Sequence, residues 1–272
     1  MKIATYNIFK GGFGAYDNNV AWPPKRLNLI KQAVKQIDAD FIGLVDSFDW
    51  DKGPKDQEIA KYFDYPFAKT IKLEDQWRGE DCTDTNLTVL TKMEADFESV
   101  SAGGRNFLKS QIELSGIILN IFTVYLDYRK DSTRLIQIKK LVEKITNDQS
   151  SVIMGDLNTF GAYSLPKEIS ALFGFGTRIL GISKILPEFI RKIYESSVPK
   201  ILTSHTFSTA NIQHKPTAPT NILTKGILKP FIEIDYIFHN PGIKSSNFQI
   251  YTGGVFEKAS DHYPISCEIG LI

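Results

Sequence analysis

A recurring pattern of short apolar strands, each with a carboxylate or an amide at or near one end, most constrains what this chain can fold into. Ionised carboxylates beside buried strands are costly unless they are paired, hydrogen-bonded or bound to a cation. Repetition of the pattern therefore predicts that several strand ends meet and share a site with hard oxygen ligands, which Mg²⁺ prefers. The polar residues are Asn7, Asp46, Asp156 with Asn158, Asp235 inside its strand, and Asp261 with His262.

Two spacings within this pattern carry chemical information. Asp156 and Asn158 are two residues apart, so on an extended backbone their side chains point to the same side. One of them can then handle a water while the other binds a phosphate oxygen. Asp261 and His262 precede an alternating strand that begins at Ile265, which places a carboxylate and an imidazole on a loop that the sheet can aim.

The remaining periodicities predict strands that alternate with two amphipathic helices. A Pro-Pro pair suits the first turn of the first helix, and Asp131 or Ser132 is expected to cap the second. The apolar stripes consist of Leu27, Ile30, Val34 and Ile37 in the first helix, and of Leu135, Ile138, Leu141, Val142 and Ile145 in the second. Strands are predicted at 2–8, 40–46, 67–71, 86–91, 117–126, 151–158, 233–238 and from 265 onward, and a short helix at 58–62.

Size and charge narrow the class of protein. The chain has 272 residues, of which 42% are hydrophobic, so it can bury a large core, and we expect a single domain over residues 1–272. Its 32 basic and 31 acidic residues give a formal net charge of +1. This balance excludes the global basic field of a tight, non-specific nucleic-acid binder. No apolar run is long enough to span a bilayer, so stable membrane insertion is not expected.

The two cysteines and the first residues bear on the compartment. Cys82 and Cys267 lie far apart and outside any metal-ligand spacing. Cys267 lies on the apolar phase of its strand, which favours a buried free thiol. The first residues predict a strand and contain no signal-peptide core. Together these features predict a reduced, cytoplasmic setting.

Residues 160–202 differ in pattern from the rest of the chain. Large apolar residues recur there at three-to-four spacing, interrupted by glycines and a proline, which predicts an insert of short helices. Between residues 161 and 200, six basic residues outnumber three acidic ones, a local balance of +3. Such an insert either packs on the domain or forms a lid or a lipid-facing element with peripheral lipid contact, and the sequence leaves these alternatives open.

Six short motifs occur in the order typical of the endonuclease/exonuclease/phosphatase superfamily, which this chain resembles over nearly its whole length. The motifs are Thr5-Tyr6-Asn7, Leu44-Val45-Asp46, Tyr125-Leu126, Gly155-Asp156-Leu157-Asn158, Ile234-Asp235-Tyr236-Ile237 and Ser260-Asp261-His262. The superfamily includes type I deoxyribonuclease, and Tyr125 with the Gly-Asp-Leu-Asn motif is most similar to abasic-site endonucleases of the exonuclease III type. The resemblance implies a four-layer α/β sandwich, with two mixed β-sheets face to face, helices on the outside and the site at one edge.

The resemblance implies that Asp46, Asn7 and Asp261 hold a divalent cation, Mg²⁺ or Mn²⁺. Asp46 stands where the superfamily usually has a glutamate, and its side chain is one methylene shorter. Because Mg²⁺ demands ligand distances near ~2.1 Å, this difference predicts a closer backbone, a water-mediated contact or weaker metal binding. Asp49 and Asp51 are nearby carboxylates that could compensate.

The resemblance also implies the catalytic roles. Asp156 would orient or deprotonate the attacking water. Asn158 and His262 would bind the scissile phosphate and stabilise its developing charge. Asp235 would fix the tautomer of His262 and favour its protonated form. Tyr125 occupies a position where many members carry histidine, and its phenol would hydrogen-bond the phosphate or the leaving oxygen.

Three functions are compatible with these residues. The first is a metal-dependent phosphoesterase that hydrolyses a phosphodiester, with nucleic acid as one candidate substrate. The second is a phosphodiesterase or phosphatase for a lipid or a small soluble phosphate. The third is a degenerate relative that binds phosphorylated partners with reduced hydrolysis; Asp46 keeps it open, and the otherwise complete water-activating set argues against it. No protein partner is predicted.

Overall fold

The computed structural model describes residues 1–12, 22–74, 85–145, 149–159, 197–226 and 229–272. The strands are β1 (Lys2–Asn7), β2 (Phe41–Phe48), β3 (Phe67–Lys72), β4 (Thr85–Thr91), β5 (Asp96–Ala102), β6 (Arg105–Leu114), β7 (Ile117–Tyr125), β8 (Ser150–Asp156), β9 (Ser208–Thr209), β10 (Asp235–His239), β11 (Ile243–Ile250) and β12 (Ile265–Leu271). The helices are α1 (Leu27–Ile37), α2 (Asp56–Tyr62), α3 (Asp131–Val142), α4 (Ser197–Ser204), α5 (Asn221–Thr224) and α6 (Phe256–Ala259), and a 3₁₀ turn covers Lys10–Gly12.

The strands form two mixed sheets of six strands each. The first has the order β11-β12-β1-β2-β4-β3 and the second the order β5-β6-β7-β8-β10-β9. One central pair in each sheet is parallel, β1 with β2 and β7 with β8, and the other neighbours are antiparallel. The predicted pair of mixed sheets is therefore confirmed.

Three apolar cores separate the layers, because alternate residues of the central strands face opposite sides of their sheet. In β2, Leu44 belongs to a core shared with α1, whereas Val45 belongs to the core between the two sheets. In β7, Phe122 faces a core shared with α3 and α4, whereas Ile121 faces the other sheet. This arrangement is the predicted four-layer α/β sandwich with helices on the outside.

Four strands were not predicted from the sequence, namely β5, β6, the two-residue β9 and β11. In β5 and β11 most residues are exposed or half-buried, and the polar side chains hide the alternation that marks a strand. The predicted cap of the second helix was wrong, because Lys130 is the N-cap of α3 and Asp131 lies in its first turn. There the carboxylate pairs with Arg134 at 3.3 Å and faces the positive end of the helix dipole.

Other predictions have mixed outcomes. Cys267 is a buried free thiol, as predicted, and burial raises its pKa to about 12. Cys82 and most of the predicted insert at 160–202 lie outside the described residues, whereas 197–202 belong to α4. In the ranges that the structure covers, no helix has both the length and the apolar character needed to cross a membrane.

One edge of the sandwich collects the strand ends that matter for the site. β1 and β2 run parallel and end there, and β12 begins there because it is antiparallel to β1. In the second sheet β7 and β8 end at this edge, and β10 begins there with Asp235 opposite Asp156. Asp235 is thus the first residue of its strand. The sequence had predicted an interior position, so that prediction was wrong.

Candidate active site at one edge of the sandwich

Asp156, the last residue of β8, is buried and held from both sides. Its Oδ2 accepts a hydrogen bond from Nδ2 of Asn7 at 2.9 Å, and its Oδ1 accepts one from the backbone amide of Asn158 at 2.7 Å. Burial raises the pKa of Asp156 to about 7, although the nearby His262 acts in the opposite direction. The carboxyl group therefore titrates near neutral pH, where a group that accepts a proton from water is most effective.

His262 and Asp235 form a buried pair beside Asp156. Nδ1 of His262 lies 2.9 Å from Oδ2 of Asp235, and its Nε2 lies 4.0 Å from Oδ2 of Asp156. Burial acts to lower the pKa of His262, but the surrounding carboxylates, led by Asp235, raise it well above its usual value. These charges favour the protonated imidazole, which presents Nε2 as a donor to any anion that enters beside Asp156.

Asp46 lies in a bulge of β2. Its neighbours Val45 and Ser47 pair with consecutive residues of β4, so Asp46 has no partner there, and its φ of 60° is left-handed. The bulge turns the carboxylate towards the backbone amide of Lys10, which donates to Oδ2 at 3.0 Å. The backbone at Asp46 thus differs from a regular strand at the position where the side chain is one methylene short.

Asp46 and Asp261 have the features that a cation site requires. Burial, together with a smaller contribution from the negative charge of Asp261, raises the pKa of Asp46 to about 6. Asp261 comes within 3.9 Å of Nε2 of His262 through its Oδ1. Two like charges in a dry environment repel each other, and a divalent cation that takes oxygen ligands would relieve that repulsion. The residues present therefore fit Mg²⁺ or Mn²⁺.

A second grouping of ligand atoms is less suited to a metal. Single ligand atoms of Asp156, Asp235 and His262 lie within 4.8 Å of one another. However, Nδ1 of His262 and Oδ2 of Asp235 are already engaged with each other, which leaves only Nε2 and Oδ1 of this pair, and a protonated imidazole does not coordinate a metal. This group is therefore a second candidate metal site at the same edge.

The remaining predicted residues lie at the same edge, and Asn7 and Asn158 form hydrogen bonds with other groups of the protein there. Asn7 uses Nδ2 on Asp156, while its Oδ1 accepts the amide of Phe9 at 2.9 Å and keeps one lone pair. Asn158 has a left-handed φ of 46°, and its Nδ2 donates to the carbonyl of Leu126 at 3.0 Å. Tyr125 lies opposite Asp156 in the pairing of β7 with β8.

Several buried polar residues have structural roles. Asn86 accepts the backbone amide of Trp50 at 2.8 Å and so supports the turn after β2. Arg134 and Gln137 bind the backbone of Asp127, the first through its carbonyl and the second through its amide. Asp49 lies just beyond β2 and pairs with a lysine, Lys52, at 2.8 Å. These contacts give each of these residues a structural role that does not involve a substrate.

Arg26 was missed by the sequence reasoning. Its guanidinium donates to the carbonyl of Phe9 at 2.6 Å and to the carbonyl of Ala259, and it lies 5.2 Å from the centre of the Phe9 ring. It therefore joins the loop after β1, which carries Lys10, to the loop before β12, which carries Asp261. No periodicity marks this residue, and only its place directly before α1 could have suggested a contact with the site.

The comparisons with known proteins agree with the fold. A model of the Endonuclease/Exonuclease/phosphatase family matches residues 4–262, a span that contains all the residues described at this edge. The chain belongs to the endonuclease/exonuclease/phosphatase family, a family of hydrolases that includes exonucleases and phosphatases. A search of curated proteins found no match.

Solved structures with the same fold have low sequence identity to this chain. A functionally unknown conserved protein from Enterococcus faecalis has a TM-score of 0.68 at 16% identity, with 100% of both chains covered. NExo from Neisseria, described as a 3′ phosphatase bound to a product DNA hairpin, has a TM-score of 0.65 at 15% identity, with 99% of both chains covered. The human nocturnin catalytic domain with bound sulfate has a TM-score of 0.56 at 13% identity, covering 100% of this chain and 94% of that one. At these identities the likeness establishes the fold alone.

Proposed function

We propose that this protein is a divalent-metal-dependent phosphoesterase that hydrolyses a phosphodiester by attack of a water that Asp156 orients. The observation that carries the proposal is the buried His262–Asp235 pair, whose free Nε2 lies 4.0 Å from Oδ2 of Asp156. A proton acceptor and a protonated donor so close together can serve the two needs of phosphoryl transfer, an oriented nucleophile and stabilised charge on phosphate.

The proposed roles follow from the hydrogen bonds of each side chain. Asp156 accepts from Asn7 and from Asn158, so its carboxylate cannot rotate freely and holds the attacking water in one direction. Protonated His262 donates Nε2–H to a phosphate oxygen, and Asp235 stabilises its positive charge. The side-chain carbonyl of Asn158 and the phenol of Tyr125 complete the polar lining on the side of β7 and β8.

Asp46 and Asp261 would hold the cation, with the remaining lone pair of Asn7 as a further oxygen. When bound, Mg²⁺ or Mn²⁺ would neutralise charge on the phosphate and the leaving oxygen. Removing the cation leaves Asp46 and Asp261 to repel each other, which is the physical reason for expecting metal dependence.

Hydrolysis of bis-p-nitrophenyl phosphate by the purified protein tests this proposal. We expect turnover with added Mg²⁺ or Mn²⁺, loss of turnover with a chelator, and recovery when metal is restored. His262→Gln should abolish the activity. His239→Gln should retain it, because His239 is also buried but lies at the far end of β10, bonded to Ser245 at 2.9 Å. A folded, metal-supplied protein with no turnover on nucleic acids, phospholipids or sugar phosphates would contradict the proposal.

The turn after β7 favours a polynucleotide among phosphodiesters. Buried Asp127 accepts the backbone amides of Arg129 at 2.7 Å and Lys130 at 2.8 Å, so the turn is rigid. The guanidinium of Arg129 lies 5.7 Å from the ring centre of Tyr128, and both side chains are exposed. The turn starts at Leu126, whose carbonyl accepts a hydrogen bond from Asn158. Three extended residues span at most ~11 Å, so the backbone of Arg129 lies within that distance of Leu126. A cation stacked on an aromatic ring suits a phosphate and a base beside the cleaved one.

The same assay with a single-stranded oligonucleotide separates this substrate class from small diesters. Tyr128→Ala should lower kcat/KM for the oligonucleotide by about tenfold, the size of one base-stacking contact, and leave bis-p-nitrophenyl phosphate unaffected. Phe67→Ala is the matched control, since Phe67 is an exposed aromatic residue at the opposite edge of the sandwich. Equal losses on both substrates would instead indicate a general structural effect.

Asp46→Glu tests whether the bulge in β2 suits the shorter side chain. We expect weaker metal binding by about tenfold, measured as the Mn²⁺ concentration for half-maximal rate, because the added methylene moves the carboxylate past the amide of Lys10. Asp46→Asn, which tolerates the left-handed backbone but lacks the charge, should lose more. A higher rate for Asp46→Glu at low metal would show that aspartate is an impaired ligand.

A further inference from the structure

A threonine-rich segment before β10, residues 217–220, lies against both members of the His262–Asp235 pair. The hydroxyl of Thr217 lies 2.7 Å from Oδ2 of Asp235, the same oxygen that accepts Nδ1 of His262 at 2.9 Å. Thr217 is fully buried. The sequence motifs described above do not include Thr217.

The direction of the Thr217 hydroxyl is determined by its other partners. Its oxygen lies 3.2 Å from the backbone nitrogen of Asp235 and 3.3 Å from that of Ile234. Both nitrogens can only donate, so the hydroxyl oxygen is the acceptor for both. Its single proton must therefore go to Oδ2 of Asp235. The other carboxylate oxygen of Asp235, Oδ1, is buried and has no hydrogen-bond partner among the described residues.

The same segment also holds the loop that carries His262. The carbonyl of Thr217 accepts the backbone amide of Tyr263 at 2.7 Å. Thr220 donates its backbone amide to the carbonyl of Asp261 at 3.0 Å, and its hydroxyl to the carbonyl of Ser260. Residues 217–220 thus make three contacts with the backbone of the loop and one with the carboxylate of Asp235. These contacts set the positions of both His262 and Asp235 relative to this segment.

We propose that Thr217 is a positioning residue that selects which oxygen of Asp235 faces His262. With its proton on Oδ2, the hydroxyl keeps the carboxylate plane in the rotamer that presents this oxygen to Nδ1. His262 then carries a proton on Nδ1 in either protonation state, and its Nε2 remains directed towards the space beside Asp156. Without the hydroxyl, the carboxylate can turn and offer Oδ1, and the imidazole loses its fixed orientation.

The catalytic consequence rests on the proposed phosphoesterase function, and kinetics of Thr217 variants test it. Thr217→Val removes the hydroxyl at nearly the same volume, and should lower kcat for bis-p-nitrophenyl phosphate by roughly tenfold to a hundredfold with KM changed less than about twofold. Thr217→Ser restores the hydroxyl and should recover kcat to within about threefold. Thr91→Val is the matched control, because Thr91 is also buried and hydrogen-bonded, but at the opposite edge, and it should leave both constants unchanged.

A spectroscopic measurement tests the orientation itself, independently of turnover. In the metal-free protein the Nδ1 proton of His262, bonded to Asp235, should give a low-field proton resonance that disappears in His262→Gln. This resonance should persist in Thr217→Ser and shift or broaden in Thr217→Val. If Thr217→Val does not fold, Thr217→Ala removes the hydroxyl without a branched side chain and allows the same comparison.

The outcomes separate the two proposals. An inactive wild-type protein with a resonance that depends on the Thr217 hydroxyl would reject the phosphoesterase function and support the positioning role. An active protein in which Thr217→Val keeps full kcat and an unchanged resonance would reject the positioning role alone. Failure of Thr217→Ser to restore either quantity would also overturn it, because the hydroxyl would then not be the group that matters.

Discussion

Replacement of Asp156 by asparagine is expected to lower kcat for phosphodiester hydrolysis by about 10²- to 10⁴-fold while the protein stays folded. The two side chains are equal in size, but the amide cannot accept a proton from water. Its NH₂ group would also face Asn7 or Asn158, each of which donates a hydrogen bond to Asp156, so one of these two bonds is lost. The measurement is the metal-supplied rate with bis-p-nitrophenyl phosphate, compared with wild type at saturating substrate.

The same variant should alter how stability depends on pH. The pKa of Asp156 is raised to about 7 in the fold, against roughly 4 for an unfolded aspartate. Between these values the folded protein binds more protons than the unfolded chain, so the contribution of Asp156 to stability falls as pH rises through this window. Asp156→Asn removes that contribution, and the metal-free variant should lose less stability than wild type between pH 5 and pH 8 in denaturant unfolding.

Glu233→Gln is the matched control for Asp156→Asn. Glu233 is also fully buried, two residues before Asp235, and burial raises its pKa to about 8, so glutamine resembles its neutral form. Its partners, Asn211 at 2.7 Å and His214 at 3.0 Å, lie outside the site. Activity should stay within about threefold of wild type. Comparable losses in both variants would mean that burial of a carboxyl group, not the position of Asp156, controls the rate.

Replacement of Gly155 by alanine is expected to have the largest effect on folding, a destabilisation of about 3 kcal/mol or more. Gly155 precedes Asp156 in β8 and pairs with Val124 of β7. A Cβ added there would lie 1.9 Å from the carbonyl oxygen of Val124, and the φ of 144° is one that side-chain-bearing residues rarely adopt. The variant should unfold at a markedly lower denaturant concentration.

Two other glycines separate the causes of this effect. Gly116 has a positive φ of 80°, but a Cβ added there would meet nothing within 4 Å, so Gly116→Ala measures backbone strain alone, about 1–2 kcal/mol. Gly270 has neither feature, and Gly270→Ala should be close to neutral. An unfolding midpoint for Gly155→Ala equal to that of Gly116→Ala would show that the approach of β7 to β8 is not the controlling contact.

The acids and amides of the site were accessible from the sequence because they lie at or near the ends of apolar strands. Asn7, Asp156 and Asp261 could be singled out in this way, and the ordered motifs indicated the family that the family match then established. Strands β5 and β11 were not accessible, since their exposed polar residues follow neither the helical nor the strand period clearly. The helix cap was misplaced by one residue or more because several polar residues adjoin the start of α3.

The bulge at Asp46 could not be predicted from the sequence. The sequence shows that Asp46 is one methylene shorter than the glutamate usual in the family. Whether the backbone adjusts for this difference depends on how β2 pairs with β4. That pairing skips Asp46 and turns it to a left-handed φ of 60°. No local pattern around Asp46 encodes this, because the register is set by the strand on the other side.

By itself, the sequence determined the central strands and the two amphipathic helices, their apolar faces, and the acids and amides that could form a site. Only the tertiary structure decided which of them meet, since Asn7 and Asp156 are 149 positions apart and Ser260 bonds the carbonyl of Asn7 across 253. It also decided their chemistry, because pKa values depend on burial and on neighbouring charges. Thr217 illustrates the limit: its hydroxyl acquires a role only when β10 and the loop before β12 place Asp235 and His262 beside it.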